Sequence, residues 1–180
     1  MKAKLPILTF FLVFSICVNA SKPYYKRMAD SEMKRNPQSW MVDYSKRPVW
    51  SYTQGLEMLA FLQVYDKTKD KKYFDYAVSY ADTMITADGK IKTYELEKYN
   101  LDMINSGKIL FPLYQKTGKK QYKLALDILR SQINNQPRIS NGGFWHKKIY
   151  PHQVWLDGVY MALPFLTQYG KEFNEPALFD

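Results

Sequence analysis

The sequence predicts an all-α protein assembled from stacked helical hairpins. Apolar side chains recur at three- and four-residue spacing along most of the 180-residue chain, which is typical of helices that bury one face. A weak internal repeat of about 50 residues supports the same class, since each copy reads as a helix, a tight polar turn and a second helix. Hairpins of this kind bury their apolar faces against neighbouring hairpins.

The repeat consists of a tyrosine, a threonine three residues later and a second tyrosine beyond a turn. Its two copies are Tyr65, Thr68 and Tyr73, and then Tyr114, Thr117 and Tyr122, 49 residues further on. A glycine–lysine pair also recurs, as Gly118-Lys119 and Gly170-Lys171. We therefore expect Gly118 and Gly170 to lie in equivalent turns between helices.

Six helices follow in order from the apolar periods and from their start and stop residues. They are predicted at Tyr24–Arg35, Ser51–Asp66, Lys72–Ile85, Asn105–Lys116, Lys120–Asn134 and Asp157–Tyr169. The first stops near Asn36-Pro37, because proline cannot continue a helix, and Pro176 is suited to open a further one. Lys90–Tyr99 alternates, which predicts a short strand or an extended loop.

The first twenty residues have the composition of a secretory signal peptide. Lys2 and Lys4 give a basic start, Leu5 to Val18 is almost wholly apolar, and cleavage is expected near Ala20. The apolar run is too short for a convincing membrane span. We expect residues 1–20 to be removed and the domain of residues 21–180 to be exported, to a periplasm or out of the cell.

A lipoprotein signal ending at Cys17 is the alternative, but Ile16 puts a bulky side chain where such signals have a small one. Cys17 is the only cysteine, so the exported domain would contain no disulfide and would depend on its core. About 160 residues are enough for one sizeable core.

The chain is basic, with a formal net charge of +9, or +7 without Lys2 and Lys4. A basic surface keeps a protein soluble and attracts polyanions. Nucleic acid, an anionic membrane and a uronic-acid polysaccharide all fit this sign, and charge alone does not choose among them. No nucleic-acid motif or long basic block is present, so we expect no nucleic-acid partner and, after signal cleavage, no membrane partner. The sequence does not predict an oligomeric state.

Residues 142–158 (GGFWHKKIYPHQVWLDG) hold the densest group of chemically active side chains. Both histidines, His146 and His152, lie in this segment with two of the four tryptophans. Aromatic rings can cover the apolar faces of sugars, and Lys147 offers a cation to a uronate. Taken singly, each aromatic is better explained by the core, and each histidine by a hydrogen-bonding or surface role. Lys147 alone is explained by a solvated position with its stem packed over an aromatic ring. Too few ligands are present for a closed metal site, so no metal is predicted.

Two aspartates, Asp102 and Asp157, stand at the entrances of the fourth and sixth predicted helices, 55 residues apart. This spacing is close to one repeat, so both are expected at the same end of the stack. Either one alone is most simply a helix N-cap. As a pair beside Trp155, His146 and Lys147 they favour catalysis, because two neighbouring carboxylates repel and one of them then retains its proton.

Three stretches of the chain resemble unsaturated rhamnogalacturonyl hydrolases, glycoside hydrolase family 105, and more distantly the unsaturated glucuronyl hydrolases of family 88. The stretches are Trp50-x-x-x-Gln54-Gly55, Leu101-Asp102-x-x-Asn105-x-Gly107-Lys108-x-Leu110-Phe111, and residues 142–158. The resemblance implies an (α/α)6 toroid of six hairpins, on the order of 300 residues at ~50 residues per repeat. Residues 21–180 supply about three hairpins, so we expect a partial barrel.

The resemblance also implies a reaction and its residues. Family members release the unsaturated uronic acid that a polysaccharide lyase leaves at a sugar chain end, by hydration of its vinyl ether, without a metal or organic cofactor. Asp157 would be the proton donor and Asp102 the second carboxylate. His146, Lys147, Trp155 and Trp50 would bind substrate. Pectin-derived rhamnogalacturonan oligosaccharides are the implied partners.

Two alternatives stay open: a family 88 enzyme that prefers glucuronyl substrates, and a non-catalytic helical-repeat protein that binds carbohydrate and whose acids only cap helices. Because a half-toroid lacks part of its pocket and exposes apolar helix faces, we expect the chain alone to be weakly active or inactive.

Overall fold

The computed structural model describes residues 22–179, and within them the fold is helical and contains no β-strand. The helices are α1 (Tyr24–Arg35), α2 (Tyr52–Thr68), α3 (Lys71–Met84), α4 (Leu101–Asn105), α5 (Leu110–Thr117), α6 (Lys120–Asn135) and α7 (Leu156–Glu172). Short 3₁₀ turns occur at Ser39–Met41, Leu96–Lys98, Ser106–Ile109 and Pro176–Phe179. The all-α prediction is confirmed. The predicted signal peptide lies outside the described residues.

The predicted helices are present, with one substantial difference in the middle of the chain. The fourth was expected at Asn105–Lys116 but begins at Leu101 and is built as α4, a 3₁₀ turn and α5. Pro112 explains the break, because it cannot donate to the carbonyl of Lys108 and its ring crowds that carbonyl. The missed first turn matters, since it carries Asp102.

The segment 90–99 is a loop that contains the 3₁₀ turn Leu96–Lys98, and the strand alternative is wrong. Ile91 forms one isolated antiparallel bridge with Ile85. Thr93 and Tyr99 take positive φ angles of 63° and 45°, which interrupt a strand. A second isolated bridge, between Arg138 and Phe144, closes the loop that follows α6.

The helices lie in two rows. In one row α2 packs against α4 and the 3₁₀ turn that follows it, and α4 packs against α7. The other row consists of α1, α3 and α6. Its members contact the first row, with α1 and α3 packed against α2, and α6 against α5 and α7. The helix starts at residues 52, 101 and 156 therefore belong to neighbouring members of the same row.

The turns after α2 and α5 repeat each other bond for bond. Lys69 and Gly118 end their helices in the left-handed conformation, and each donates its backbone N–H to the tyrosine carbonyl four residues earlier, at 2.7 and 2.8 Å. The third predicted turn is misplaced, because Gly170 lies inside α7 and the left-handed residue there is Asn174.

Successive units are joined by tyrosine hydroxyls that donate to aspartates of the preceding unit. The pairs are Tyr73–Asp30 at 2.6 Å, Tyr122–Asp82 at 2.7 Å and Tyr169–Asp127 at 2.5 Å. Burial and the bond to Asp30 raise the pKa of Tyr73 to about 12, so this hydroxyl remains a donor at neutral pH.

Two apolar surfaces remain open at the ends of this arrangement. A groove of about 960 Å³ lies between α1 and α2 and is lined by Met28, Phe61 and Glu57 among others. On α7, Leu156 and Leu163 are exposed along one side, Leu156 to 90 %. Among the described helices, none combines the length and apolar character that crossing a bilayer requires.

Candidate active site

Asp102 lies in the first turn of α4, and its side chain does not cap that helix. Asn100 is the N-cap, and its side-chain oxygen accepts from the backbone N–H of Asp102 at 3.0 Å. An asparagine is among the preferred N-caps because it satisfies one of the free N–H groups. The capping interpretation of Asp102 is therefore wrong, and its carboxylate is available for other partners.

Those partners are the two consecutive residues His146 and Lys147. His146 Nε2 lies 3.2 Å from Asp102 Oδ1, and Lys147 Nζ lies 2.6 Å from Asp102 Oδ2. The His146 side chain is almost fully buried, while those of Asp102 and Lys147 are 14 % and 21 % exposed. Asp102 is thus held at both oxygens at the edge of the protein interior.

Backbone bonds fix the loop that supplies His146 against the start of α4. The N–H of Leu101 donates to the His146 carbonyl at 3.1 Å, and the N–H of His146 donates to the Gln153 carbonyl at 2.8 Å. Gly158 in α7 permits close approach on the third side, because a Cβ there would lie 3.2 Å from His146 Nδ1.

Asp157 faces this pair from the first turn of α7. The residue before that helix, Trp155, makes no side-chain cap bond, and Asp157 is exposed. One carboxylate oxygen each of Asp102 and Asp157 and one ring nitrogen of His146 all lie within 4.8 Å of one another. The predicted meeting of the two aspartates at one end of the stack is therefore observed.

These three atoms have a spacing at which a metal ion could be held. Lys147 argues against this use, because its ammonium already lies against Asp102 and would repel a divalent cation. Three donors also fall short of a closed site. The arrangement better suits hydrogen bonding to a hydroxyl-rich ligand, with carboxylate oxygens as acceptors and the Lys147 ammonium as a donor.

Trp155 forms an aromatic wall beside the carboxylates. Its ring stacks on His146 with centroids 4.2 Å apart and planes 10° apart, and on Tyr150 at 5.2 Å and 18°. The indole N–H donates to Gln153 Oε1 at 3.0 Å, and the residue is 38 % exposed. Trp155 both holds His146 in place and shapes the mouth of the site.

Trp50 requires a correction, because the structure places it in the core. It is 0 % exposed, stacks on Tyr80 at 6.1 Å and donates its indole N–H to the Met103 carbonyl at 2.9 Å. No ligand can reach a ring in that position. Trp50 supports the site indirectly, since Met103 is the residue next to Asp102.

Sequence reasoning missed two residues that organise the site. Asn100 had a local signal, an asparagine immediately before a helical apolar pattern. Gln136 had none, because it contacts the site only through carbonyls of Tyr99 and Trp145 that are distant along the chain.

Comparisons with known proteins relate the chain to glycoside hydrolases. The family model of Glycosyl Hydrolase Family 88 matches residues 24–180. Over 137 residues the chain is 21% identical to the unsaturated rhamnogalacturonyl hydrolase YesR of Bacillus subtilis (strain 168), covering 73% of this chain and 38% of that protein. A solved family 105 glycoside hydrolase of C. acetobutylicum ATCC 824 is 47% identical, with a TM-score of 0.81, covering 88% of this chain and 42% of that one.

The chain thus spans about two fifths of the length of each of these relatives. The likeness to the solved structure supports the toroid fold, of which the described helices form a part. Because the family model matches nearly all of the sequence from residue 24 onward, the chain belongs to Glycosyl Hydrolase Family 88.

Proposed function

We propose that this chain contributes the two-carboxylate part of a glycoside hydrolase site that releases unsaturated galacturonyl residues from rhamnogalacturonan oligosaccharides. One observation carries the proposal: a carboxylate oxygen of Asp102, a carboxylate oxygen of Asp157 and a ring nitrogen of His146 lie within 4.8 Å of one another, near the starts of α4 and α7. The similarity to the unsaturated rhamnogalacturonyl hydrolase of Bacillus subtilis supports the substrate class.

The surroundings of the two carboxylates favour different roles. Asp102 is engaged at one oxygen by the His146 imidazole and at the other by the Lys147 ammonium, so it is suited to hold its position and bind sugar hydroxyls. Asp157 is exposed and stands opposite this pair. Asp157 is therefore the better placed of the two to exchange a proton with a bound substrate.

In the proposed reaction Asp157 donates its proton to C4 of the C4=C5 double bond. The positive charge that develops at C5 is shared with the ring oxygen, and the anionic Asp157 that remains takes a proton from the water that adds at C5. The resulting hemiketal opens to a ketone at C5 and leaves a hemiacetal at C1, which collapses to an aldehyde and releases the next sugar as an alcohol. The bond that changes is the vinyl ether, so the separation of the carboxylates does not predict a stereochemical outcome as it does in ordinary glycosidases.

The Lys147 ammonium supports an acidic substrate. Lys147 stands 21 % exposed at the mouth, where its ammonium can reach both Asp102 and an incoming uronate. The formal charge of +9 over the whole chain adds a weak long-range attraction.

An absorbance assay of the unsaturated uronate tests the proposal. The chain is incubated at high concentration with unsaturated galacturonyl-rhamnose disaccharide, and loss of the double-bond absorbance is followed. We expect slow turnover that falls about a hundredfold or more in Asp157→Asn, while disaccharide binding is retained. Asp75→Asn, which changes an exposed carboxylate on α3, is the matched control. Equal turnover by the two variants would overturn the role of Asp157.

The match to Family 88 favours one second candidate, an enzyme that acts on unsaturated glucuronyl fragments. Parallel assays with the two disaccharides decide between them by the ratio of kcat/KM. The third interpretation is a binding protein whose acids only cap helices. It does not account for Asp102, because Asn100 caps α4.

The proposal extends to location and completeness. We propose that residues 1–20 direct export and that the chain alone is weakly active or inactive, because it spans only about two fifths of the related enzymes. Robust turnover by the chain, comparable to that of a full-length family member, would contradict the second part.

A further inference from the structure

Two loops that supply the site are joined by one buried side-chain amide. Gln136 lies just beyond the end of α6 and is 3 % exposed. Its Nε2 donates to the Tyr99 carbonyl at 2.8 Å and to the Trp145 carbonyl at 2.7 Å. Each carbonyl belongs to a peptide unit that leads directly into a site element, Asn100 before Asp102 in one case and His146 in the other.

The orientation of this amide is fixed by a chain of buried partners. Backbone carbonyls only accept, so Gln136 must present its NH₂ group to them and its Oε1 to Gln132. Gln132 Nε2 donates to that oxygen at 3.0 Å, and Gln132 Oε1 accepts from the Tyr94 hydroxyl at 2.8 Å. Gln132 is 0 % exposed. The direction of each hydrogen bond along this path is therefore fixed.

One of the clamped residues is held in an unfavourable conformation. Tyr99 has a φ of 45°, in the left-handed region that is unfavourable for a residue with a Cβ. The bond from Gln136 to its carbonyl opposes relaxation of this peptide. Relaxation would rotate the Tyr99–Asn100 peptide and displace the cap on which the start of α4 depends.

We infer that Gln136 is a positioning residue that sets the distance between the Asp102 carboxylate and the His146 ring. Its side-chain nitrogen donates to the Tyr99 and Trp145 carbonyls at once, and so keeps the two peptide units at a fixed separation. The direct bond from Leu101 to the His146 carbonyl holds the loops together at a second point, so the pair of bonds fixes both spacing and rotation. The catalytic consequence of this inference rests on the proposed function; the geometric one does not.

NMR of the two histidine rings gives a readout that does not require turnover. The chain has only His146 and His152, and His152→Gln assigns the signals by elimination. In Gln136→Leu we expect the ring signals of His146 to shift while those of His152 stay in place. Val64→Ala, a buried change toward the far end of α2 from the site, is a control for lost stability and should shift neither.

Tyr94→Phe provides a milder test that does not depend on the stability of the first variant. It removes one hydroxyl at the far end of the chain of bonds, and a smaller shift of the same His146 signals is expected. Unchanged His146 signals in Tyr94→Phe, or in folded Gln136→Leu, would overturn the inference, as would equal shifts in Val64→Ala.

A kinetic measurement separates this inference from the proposed function. If both hold, Gln136→Leu lowers kcat about tenfold to a hundredfold with little change in KM, because a displaced acid is still able to bind sugar. If Asp157→Asn has no effect on turnover while the His146 signals still move in Gln136→Leu, the proposed function fails and the positioning role stands.

Discussion

Each oxygen of the Asp102 carboxylate lies close to a basic side chain of one short loop, His146 Nε2 at 3.2 Å and Lys147 Nζ at 2.6 Å. A partly buried carboxylate with two such partners is expensive to disturb, because removing the charge leaves the donors without an equivalent acceptor. The two adjacent residues His146 and Lys147 therefore act as one unit, and any change at Asp102 is felt by both.

Asp102→Asn is expected to lower the free energy of unfolding by about 1–3 kcal/mol, since its amide NH₂ would face the Lys147 ammonium or the His146 N–H. Urea unfolding monitored by circular dichroism measures the change. Asp75→Asn, at an exposed ion pair with Lys71, should change stability by well under about 1 kcal/mol. Equal losses in the two variants would contradict the pairing described for Asp102.

Glu57 provides a pH-dependent prediction away from the site. Burial on α2 and the nearby Glu32 and Asp43 carboxylates raise its pKa to about 7 from an ordinary value of 4.5. Between these values the unfolded chain ionises Glu57 while the folded chain keeps it protonated. Stability is therefore lost as the pH rises from 4.5 to 7, and the loss is complete above 7.

Glu57→Gln should accordingly stabilise the protein at pH 8 by about 1 kcal/mol, after allowance for solvent screening at a partly exposed side chain, and have little effect at pH 4. Urea unfolding at the two pH values measures this difference. Glu95→Gln, at an exposed position, is the control and should not stabilise the protein at pH 8. A stabilisation of equal size at both pH values would refute the titration argument.

At the scale of elements, α2 and the 3₁₀ turn Ser106–Ile109 approach each other closely enough to exclude even a methyl group. A Cβ on Gly55 would lie 2.5 Å from the Cα of Ser106. The Ser106 hydroxyl donates to the Ser51 carbonyl at 2.5 Å across the same contact. This contact and the bond from Trp50 to Met103 hold α2 against the helix that carries Asp102.

Gly55→Ala should therefore force α2 away from the turn and cost about 2 kcal/mol or more. Gly118→Ala is an informative comparison, since its Cβ would meet nothing within 4 Å and only the left-handed backbone is penalised. That penalty is about 1 kcal/mol. Thermal unfolding of the two variants measures the order, and a smaller loss for Gly55→Ala would contradict the close packing.

At the scale of the molecule, local patterns predicted the helices and the pair of acids, while long-range contacts decided the rest. The apolar period placed α1 at its observed bounds, and the spacing of Asp102 and Asp157 correctly placed both at one end. Trp50 was misassigned because a tryptophan beside a helix start suits a core and a sugar site equally. Gln136 escaped notice because its partners lie 37 and 9 residues away.

One side of α7 forms an apolar strip on the surface of the described part of the chain. Four of its side chains are at least 44 % exposed: Leu156, Val159, Tyr160 and Leu163. Scattered apolar residues are normal on a protein surface, but four on one helix make a contiguous patch. This strip adjoins Asp157, so the candidate site and the open surface share one helix.

We expect the folded chain to bind the dye 8-anilinonaphthalene-1-sulfonate at this strip. The double substitution Val159→Lys and Leu163→Lys should lower the dye fluorescence several-fold, because it divides the patch with two charges. Leu124→Lys, at a 43 % exposed leucine on α6, is the matched control and should change little. Near-ultraviolet circular dichroism must be unchanged in all three proteins, since a loosened core also binds the dye. Equal fluorescence in the double variant and the wild type would show that the open surface lies elsewhere, with the groove between α1 and α2 the next to test.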